Sequence, residues 1–293
     1  ARVGRIGPAF AGMGDFAVEP AALKQSIGVE TVAITPAELQ RRVQSIPASA
    51  VDAEVAADKA QFLAEGLEPE ALKQTARAGL AVRQWCEQEK LSAFTFNFLS
   101  LDKASGLPTI PFLEASKAMG RGLGYAGEGD VLTAALVGAV ASVLPETSFT
   151  EMFCPDWTKG KIFLSHMGEA NLRLYAGKAR LLQRPFKFTD IYPPVAAIGC
   201  FKPGEAVFLN LAPVGEDHYR LIIAPGTMDK VVGTDRFTES VHGWFVPSLP
   251  LPQFLEEYSL AGGTHHAALV YGDAAEILIG FGDSMGWDTV TIW

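Results

Sequence analysis

Cysteine is scarce in this chain. Its 293 residues hold three, Cys86, Cys154 and Cys200, far apart and with no CxxC pair. That excludes a disulfide framework and gives no zinc-ribbon spacing, so a reducing cytoplasm is the expected compartment. Positive charge is also short, with 24 Lys plus Arg against 33 Asp plus Glu and a net charge of −9. An acidic chain without basic clusters is a poor partner for nucleic acid or an anionic membrane surface. A small neutral substrate or a metal cation fits it better. No apolar run is long enough to span a bilayer. No signal-peptide pattern, internal repeat or low-complexity segment occurs, and no GxSxG elbow. The chain opens on ARVGRIG, without Met and already reading as a buried strand, so it is expected to be part of a longer protein.

What is abundant is apolar surface. Hydrophobic residues make up 48% and charged residues only 19%. That argues against disorder and allows two domains in a chain of this length.

The first half alternates strand and helix signals. A short strand at Arg2–Ile6 runs into a Gly-rich loop, GPAFAGMGDF. Helices follow at AALKQSIG and, behind the Thr35-Pro36 start signal, at AELQRRVQSI, with the strand VETVAIT between them. Residues 69–90 form a long helical stretch with Leu72, Ala76, Leu80 and Trp85 near one stripe. LSAFTFNFLSL is rich in β-formers. Then come a helix FLEASKAMG, a second Gly-rich loop GRGLGYAGEGD, and a helix VLTAALVGAVASVL that is apolar all round and therefore buried. This order predicts an α/β domain with a mostly parallel sheet over residues 1–145.

Beyond Leu144–Glu146 the texture changes. Short β-rich runs follow one another: SFTEMF, KIFLSHM, NLRLYA, KFTDIY, AAIGCF, AVFLNLAPV, YRLIIAP, THHAALVYG and WDTVTIW, with one helix, AAEILIGFGDSMG, near the end. Residues 146–293 are read as an antiparallel β-barrel or sandwich.

Four places carry chemistry. Glu128 in GYAGEGD lies directly before a helix with Asp130 as its N-cap, where the helix dipole favours an ionised carboxylate. A solvated glutamate at a capped helix start fits the same residues. In SFTEMF, strand alternation puts Phe149, Glu151 and Phe153 on one aromatic face, so a carboxylate sits amid buried rings. In KIFLSHM, Ile162, Leu164 and His166 share a face in the same way. The two segments are joined by a short loop and read as neighbouring strands. A buried carboxylate needs a partner, and a glutamate with a histidine in one interior suits a divalent metal or a plain Glu–His hydrogen bond. AGGTHH supplies His265 and His266, which point to opposite sides of a strand, and hydrophobicity does not choose between them. His218 falls in the turn GEDHYR and reads as exposed; His242 fits either a site or a loop. Gly122, Gly124 and Gly127 spell GxGxxG, but a helix precedes them where a nucleotide fingerprint needs a strand. Cys154 has nothing nearby that would activate it as a nucleophile.

Five segments, in order along nearly the whole chain, resemble motifs of the L-arabinose isomerase family. GRIGPAFAGMGDFAV looks like the entry to that family's central domain, GYAGEGDVLTAAL like its GEGDW-K-TAA segment, TSFTEMF like TSFMEDY, LSHMGEA like AHMLEVCP, and LAGGTHH like AGGAHHT. L-fucose isomerases share the architecture with more distant motifs. The resemblance implies an α/β central domain with a mostly parallel sheet, followed by an antiparallel β-barrel domain. It implies a site in which Glu128, Glu151, His166 and His266 hold Mn²⁺, or another divalent metal such as Co²⁺ or Mg²⁺. Glu128 and Glu151 would also be the acid–base pair that interconverts an aldose and a ketose through an enediol. Met13, Phe98 and His265 would line the sugar pocket.

Two departures bear on the sugar. Val131 stands where the family has Trp, and Met152-Phe153 where it has Asp-Tyr, so the pocket rim differs. The family also carries an N-terminal domain ahead of this region, which helps to complete a neighbour's sugar site in a trimer-based homo-oligomer. A non-catalytic metal- or sugar-binding module and a metal-dependent hydrolase are the competing functions.

Overall fold

The structure, a computed structural model, describes residues 1–215 and 218–293. In chain order the first half comprises β1 (Arg2–Ile6), α1 (Pro20–Ile27), β2 (Glu30–Ile34), α2 (Pro36–Ser45), α3 (Ala48–Gln61), α4 (Pro69–Gln88), β3 (Ala93–Phe96), α5 (Phe112–Gly120), β4 (Gly124–Gly127) and α6 (Val131–Ala141). The second comprises β5 (Thr147–Asp156), β6 (Lys161–His166), β7 (Arg180–Gln183), β8 (Val195–Ile198), β9 (Gly204–Pro213), β10 (Tyr219–Asp229), β11 (Val241–Pro247), α7 (Leu251–Leu260), β12 (His266–Tyr271), α8 (Ala275–Met285) and β13 (Asp288–Thr291).

Local signals place the early elements. Gly28 closes α1 in the left-handed conformation, and the Thr35 side chain accepts the Glu38 N–H at 3.2 Å to cap α2, whose first residue is Pro36. β1–β4 form a parallel sheet in the order β2-β1-β3-β4. In such a sheet the loops leaving the C-terminal ends of the strands share one edge, where α/β proteins bind ligands. Here that edge carries the loops after Ile6, Phe96 and Gly127.

The second half is a closed six-stranded antiparallel barrel. β11, β6, β5, β12, β9 and β10 follow one another, and β10 returns to β11. β10 is long enough for two neighbours: Gly226–Asp229 pair with β11, while Arg220–Ile223 pair in parallel with β13. The α/β half followed by a β-barrel is the architecture expected from the sequence.

α6 is the seam. It packs on β1, β3 and β4 on one side and on β5, β9 and β12 on the other, which explains why its whole circumference is apolar. Its approach to β4 needs glycines: a Cβ on Gly124 would lie 2.4 Å from the Gly138 backbone nitrogen. One continuous set of buried apolar side chains runs through both halves.

Some expectations fail locally. The GRGLGYAGEGD segment is not all loop, because GYAG is the buried strand β4. NLRLYA forms a single 3-10 turn at Leu172–Leu174 rather than a strand, and KFTDIY forms turns. The AAIGCF run does contain a strand, β8, whereas its partner β7 and the helices α3 and α7 carried no clear periodic signal. The turn read over 215–220 includes residues outside the described ones; His218 itself is exposed.

Candidate functional site

The site lies where the edge of the parallel sheet meets the barrel. β4 delivers Glu128 directly after its last residue. The Glu128 carbonyl accepts the Phe10 N–H at 2.9 Å, which ties the loop after β1 to the loop after β4. Glu128 is held at φ +62°, a left-handed conformation uncommon for a residue with a Cβ and a frequent mark of functional sites.

The barrel supplies the rest. Glu151 of β5 pairs directly with His266 of β12, and β5 pairs with β6, which ends on His166. Glu151, His166 and His266 each offer one donor atom, all within 4.8 Å of one another. Glu128, His265 and His266 do the same, so the two groups share His266. The four residues singled out as a metal set are therefore brought together.

Aromatic rings fix the imidazoles. Phe149 meets His166 edge-on at 4.7 Å and His266 at 4.9 Å between centroids. Phe16 stacks flat on His266 at 4.7 Å. Gly127 leaves the space for His166: a Cβ there would lie 2.4 Å from its Cε1.

A carboxylate orients the His266 ring, and another lies against the His166 ring. The His266 Nδ1 donates to Asp130 Oδ2 at 3.0 Å, because a carboxylate can only accept. That leaves Nε2 as a lone pair, 3.6 Å from Glu128 Oε2. Asp130 meanwhile accepts the Thr133 N–H at 2.8 Å through its other oxygen and caps α6 as expected. The His166 Nδ1 lies 3.0 Å from Glu169 Oε1, and the buried Tyr125 hydroxyl donates to that same oxygen at 2.7 Å.

Several buried donor atoms are left over. Glu128 Oε2, His266 Nε2 and both ring nitrogens of His166 have no hydrogen-bond partner, although His166 Nδ1 lies close to Glu169. Unpaired buried polar atoms are costly, and these belong to the two donor groups that share His266, where an ion would satisfy them. The charge balance agrees. Burial pushes the Glu128 carboxyl up, helped by Glu151 and opposed by His166, His266 and His265. Burial opposes charge on His166, but Glu169, Glu151 and Glu128 outweigh it and raise its pKa. The His166 imidazole thus sits in a negative field set by Glu169, Glu151 and Glu128. Such a field, with N and O donors, fits a hard-to-borderline divalent cation.

The expected sugar-pocket residues are more dispersed. His265 is half-buried beside His266; its Nδ1 lies 2.5 Å from Asp15 Oδ2, and the Asp15 backbone loop also carries Met13 and Phe16. Burial would raise the Asp15 carboxyl, but the hydrogen bond and charge of His265 pull it below its usual value. Met13 is half-buried in that loop. Phe98 is 5% exposed and packed among Phe10, Phe186 and Phe188, so little of its ring is open to a ligand.

The sequence did not point to Glu169, Tyr125, Asp15 or the second task of Asp130. Only Glu169 left a local trace, three residues after His166. The aromatic face inferred at β5 also breaks early: a bulge between Met152 and Cys154 turns Phe153 outward, where it is 50% exposed.

Residues 11–145 match the family model for the L-arabinose isomerase central domain, and residues 146–288 that for the L-arabinose isomerase C-terminal domain. Among curated proteins, an L-arabinose isomerase of Nocardioides sp. is 30% identical over 80% of this chain and 47% of its own length. L-arabinose isomerase 1 of Bacillus licheniformis is 29% identical over 76% of this chain and 45% of its own. An L-arabinose isomerase of Thermotoga petrophila is 27% identical over 87% and 52%. The chain thus spans about half the length of the curated relatives it matches. Two consecutive domains of one protein family, matched in order across residues 11–288, place this chain in the L-arabinose isomerase family.

Proposed function

We propose that the protein carrying this chain is a divalent-metal-dependent aldose–ketose isomerase. Glu128, Glu151, His166 and His266 would hold the ion, with Mn²⁺ the first choice and Co²⁺ or Mg²⁺ as alternatives. The observation that carries this is that unpartnered buried atoms of Glu128, His166 and His266 fall in two donor groups that share His266, the second of which includes Glu151. Bound there, the ion would polarise the sugar carbonyl and stabilise the charge developing on its oxygen.

The chain's own residues account for the proton movements. Glu151 takes the proton from C2 of the open-chain aldose while Glu128, whose carboxyl is pushed up by burial, protonates O1. The sugar is then a cis-enediol. Glu151 returns its proton to C1 and Glu128 takes the one on O2, giving the ketose with both carboxyls restored. Phe16 and Phe149 keep bulk water from the imidazoles they cover. Val131 and Met152 alter the pocket rim, so the sugar is defined here only as an aldose with its ketose. Trimer-based assembly and a cytoplasmic location belong to the same proposal. Among the described residues no helix is long and apolar enough to cross a membrane.

The test is to supply the intact protein with Mn²⁺ and a panel of aldoses and assay for ketose. Ketose from at least one sugar, lost by at least ~10²-fold in Glu151→Gln, is expected. Full activity in Glu151→Gln contradicts its role as base. Metal binding without ketose from any sugar makes the chain part of a binding module.

A further inference from the structure

A second group of metal-ligating side chains lies outside this site. Cys200, Asp235 and His242 each offer one donor atom, all within 4.8 Å of one another. Two of the three are fixed together by the backbone. Cys200, just after β8, forms a bridge with His242 of β11, in which the Phe201 N–H donates to the His242 carbonyl at 2.7 Å and the His242 N–H to the Gly199 carbonyl at 3.1 Å. Asp235 comes from the connection between β10 and β11.

The imidazole is preset as a ligand. His242 Nδ1 lies 3.0 Å from the Ser240 carbonyl oxygen, which can only accept, so Nδ1 carries the proton. Nε2 then presents a lone pair. It is buried, has no hydrogen-bond partner, and faces Asp235 Oδ1 at 3.3 Å. Asp235 is 34% exposed and its Oδ1 also accepts the Phe237 N–H at 2.9 Å. Two acceptors 3.3 Å apart repel unless a proton or a metal ion lies between them, and Cys200 supplies a third donor atom for a metal. The ring is held there by Phe163, stacked at 5.8 Å, and by Phe237 at 5.5 Å.

A Cys–His–Asp nucleophile does not fit. It would need the thiol on one ring nitrogen and the carboxylate on the other. Here Asp235 faces Nε2, and a backbone carbonyl occupies Nδ1. Burial and the Asp235 charge also push the Cys200 thiol up to about 11, away from spontaneous reactivity.

We propose that Cys200, Asp235 and His242 form a second metal site, selective for Zn²⁺ or a similarly borderline divalent ion, with one position open to water. Ligands around tetrahedral zinc stand about 3.3–3.7 Å apart, which matches the Nε2-to-Oδ1 spacing. A thiolate among them favours zinc over Mn²⁺ or Mg²⁺, so the two sites sort different metals. The backbone bond on Nδ1 is the usual outer partner of a ligating histidine. Bound metal would clip the β10–β11 connection to the end of β8.

Cobalt in place of zinc reports thiolate coordination by a near-ultraviolet charge-transfer band. The purified, metal-stripped protein titrated with Co²⁺ is expected to show that band, and added Zn²⁺ to abolish it. Glu151→Gln, which alters only the first site, keeps the band. Cys200→Ser loses it and weakens Zn²⁺ binding by ~100-fold or more while retaining its circular dichroism. No band in the unaltered protein, or a band that survives in Cys200→Ser and vanishes in Cys154→Ser, overturns the proposal.

Discussion

Asp130 uses its two oxygens for two tasks, and Asp130→Asn separates them. One oxygen caps α6 through the Thr133 N–H; the other accepts from His266 Nδ1. Both the Asp130 and the His266 side chains are fully buried, so water cannot substitute. Asparagine brings one oxygen to a place that needs two. With its oxygen on Thr133, the amide NH2 faces a ring nitrogen that also donates. The imidazole must then move its proton to Nε2, and the lone pair aimed at the metal is lost. With the amide turned over, His266 keeps its tautomer but α6 loses its cap, worth about 1 kcal/mol. Loss of an outer partner of a ligating histidine weakens metal binding about 10–100-fold, or about 1.4–2.8 kcal/mol. The first arrangement predicts that loss with little change in metal-free melting. Asp130→Ala removes both bonds and should lower the melting temperature as well. Calorimetric titration with Mn²⁺ and thermal unfolding without it measure the two effects separately. An Asn variant with both Mn²⁺ affinity and melting unchanged would refute the assignment of Nε2 as a donor oriented by Asp130.

Gly127→Ala should destabilise the protein by about 1–3 kcal/mol and impair metal binding, because the new methyl meets the His166 ring and Phe149 blocks its retreat; denaturant unfolding and Mn²⁺ titration check this. Tyr125→Phe leaves the buried Glu169 carboxylate without its hydroxyl donor and should cost about 1–3 kcal/mol of stability, read by urea unfolding at neutral pH. Away from the site, burial favours a raised Glu54 carboxyl, but bonds and charge from Arg83 and Lys117 pull it down to about 2. A depressed carboxyl stabilises the fold above its unfolded value near 4.5, and that contribution is lost as pH falls through about 2. With the partial exposure of Arg83 and Glu54 discounted, it is worth about 2 kcal/mol. The stability gap between the unaltered protein and Glu54→Gln should therefore be about 2 kcal/mol at pH 7 and less than half that near pH 3; a gap independent of pH would contradict it.

Glu151 and His166 were legible because strand alternation is strict: a polar residue in step with buried aromatic or aliphatic ones must have a reason. The same rule misplaced Phe153, since a β-bulge adds a residue without any mark in the sequence. β4 was obscured by the glycines that let α6 approach it. α3 was hidden because it buries only Val51 and Asp58, too few to show a periodic face. The outer partners of the site were illegible for a different reason. Asp15 meets His265 across 250 residues, and Asp130 meets His266 across 136. Such contacts are products of the barrel closing on the sheet edge, and no local pattern encodes them. Hydrophobicity alone did not separate His265 from His266; in β12 His266 is buried in register with Glu151, while His265 turns to the loop after β1.

The central claim is that one divalent ion binds among Glu128, Glu151, His166 and His266. A crystal of the protein soaked in Mn²⁺, with diffraction recorded at the manganese edge, tests it most directly. A single anomalous peak about 2.0–2.3 Å from donor atoms of all four residues is expected. A peak elsewhere, or none while Glu128 Oε2 and the two Nε2 atoms are bridged by ordered water, would contradict it.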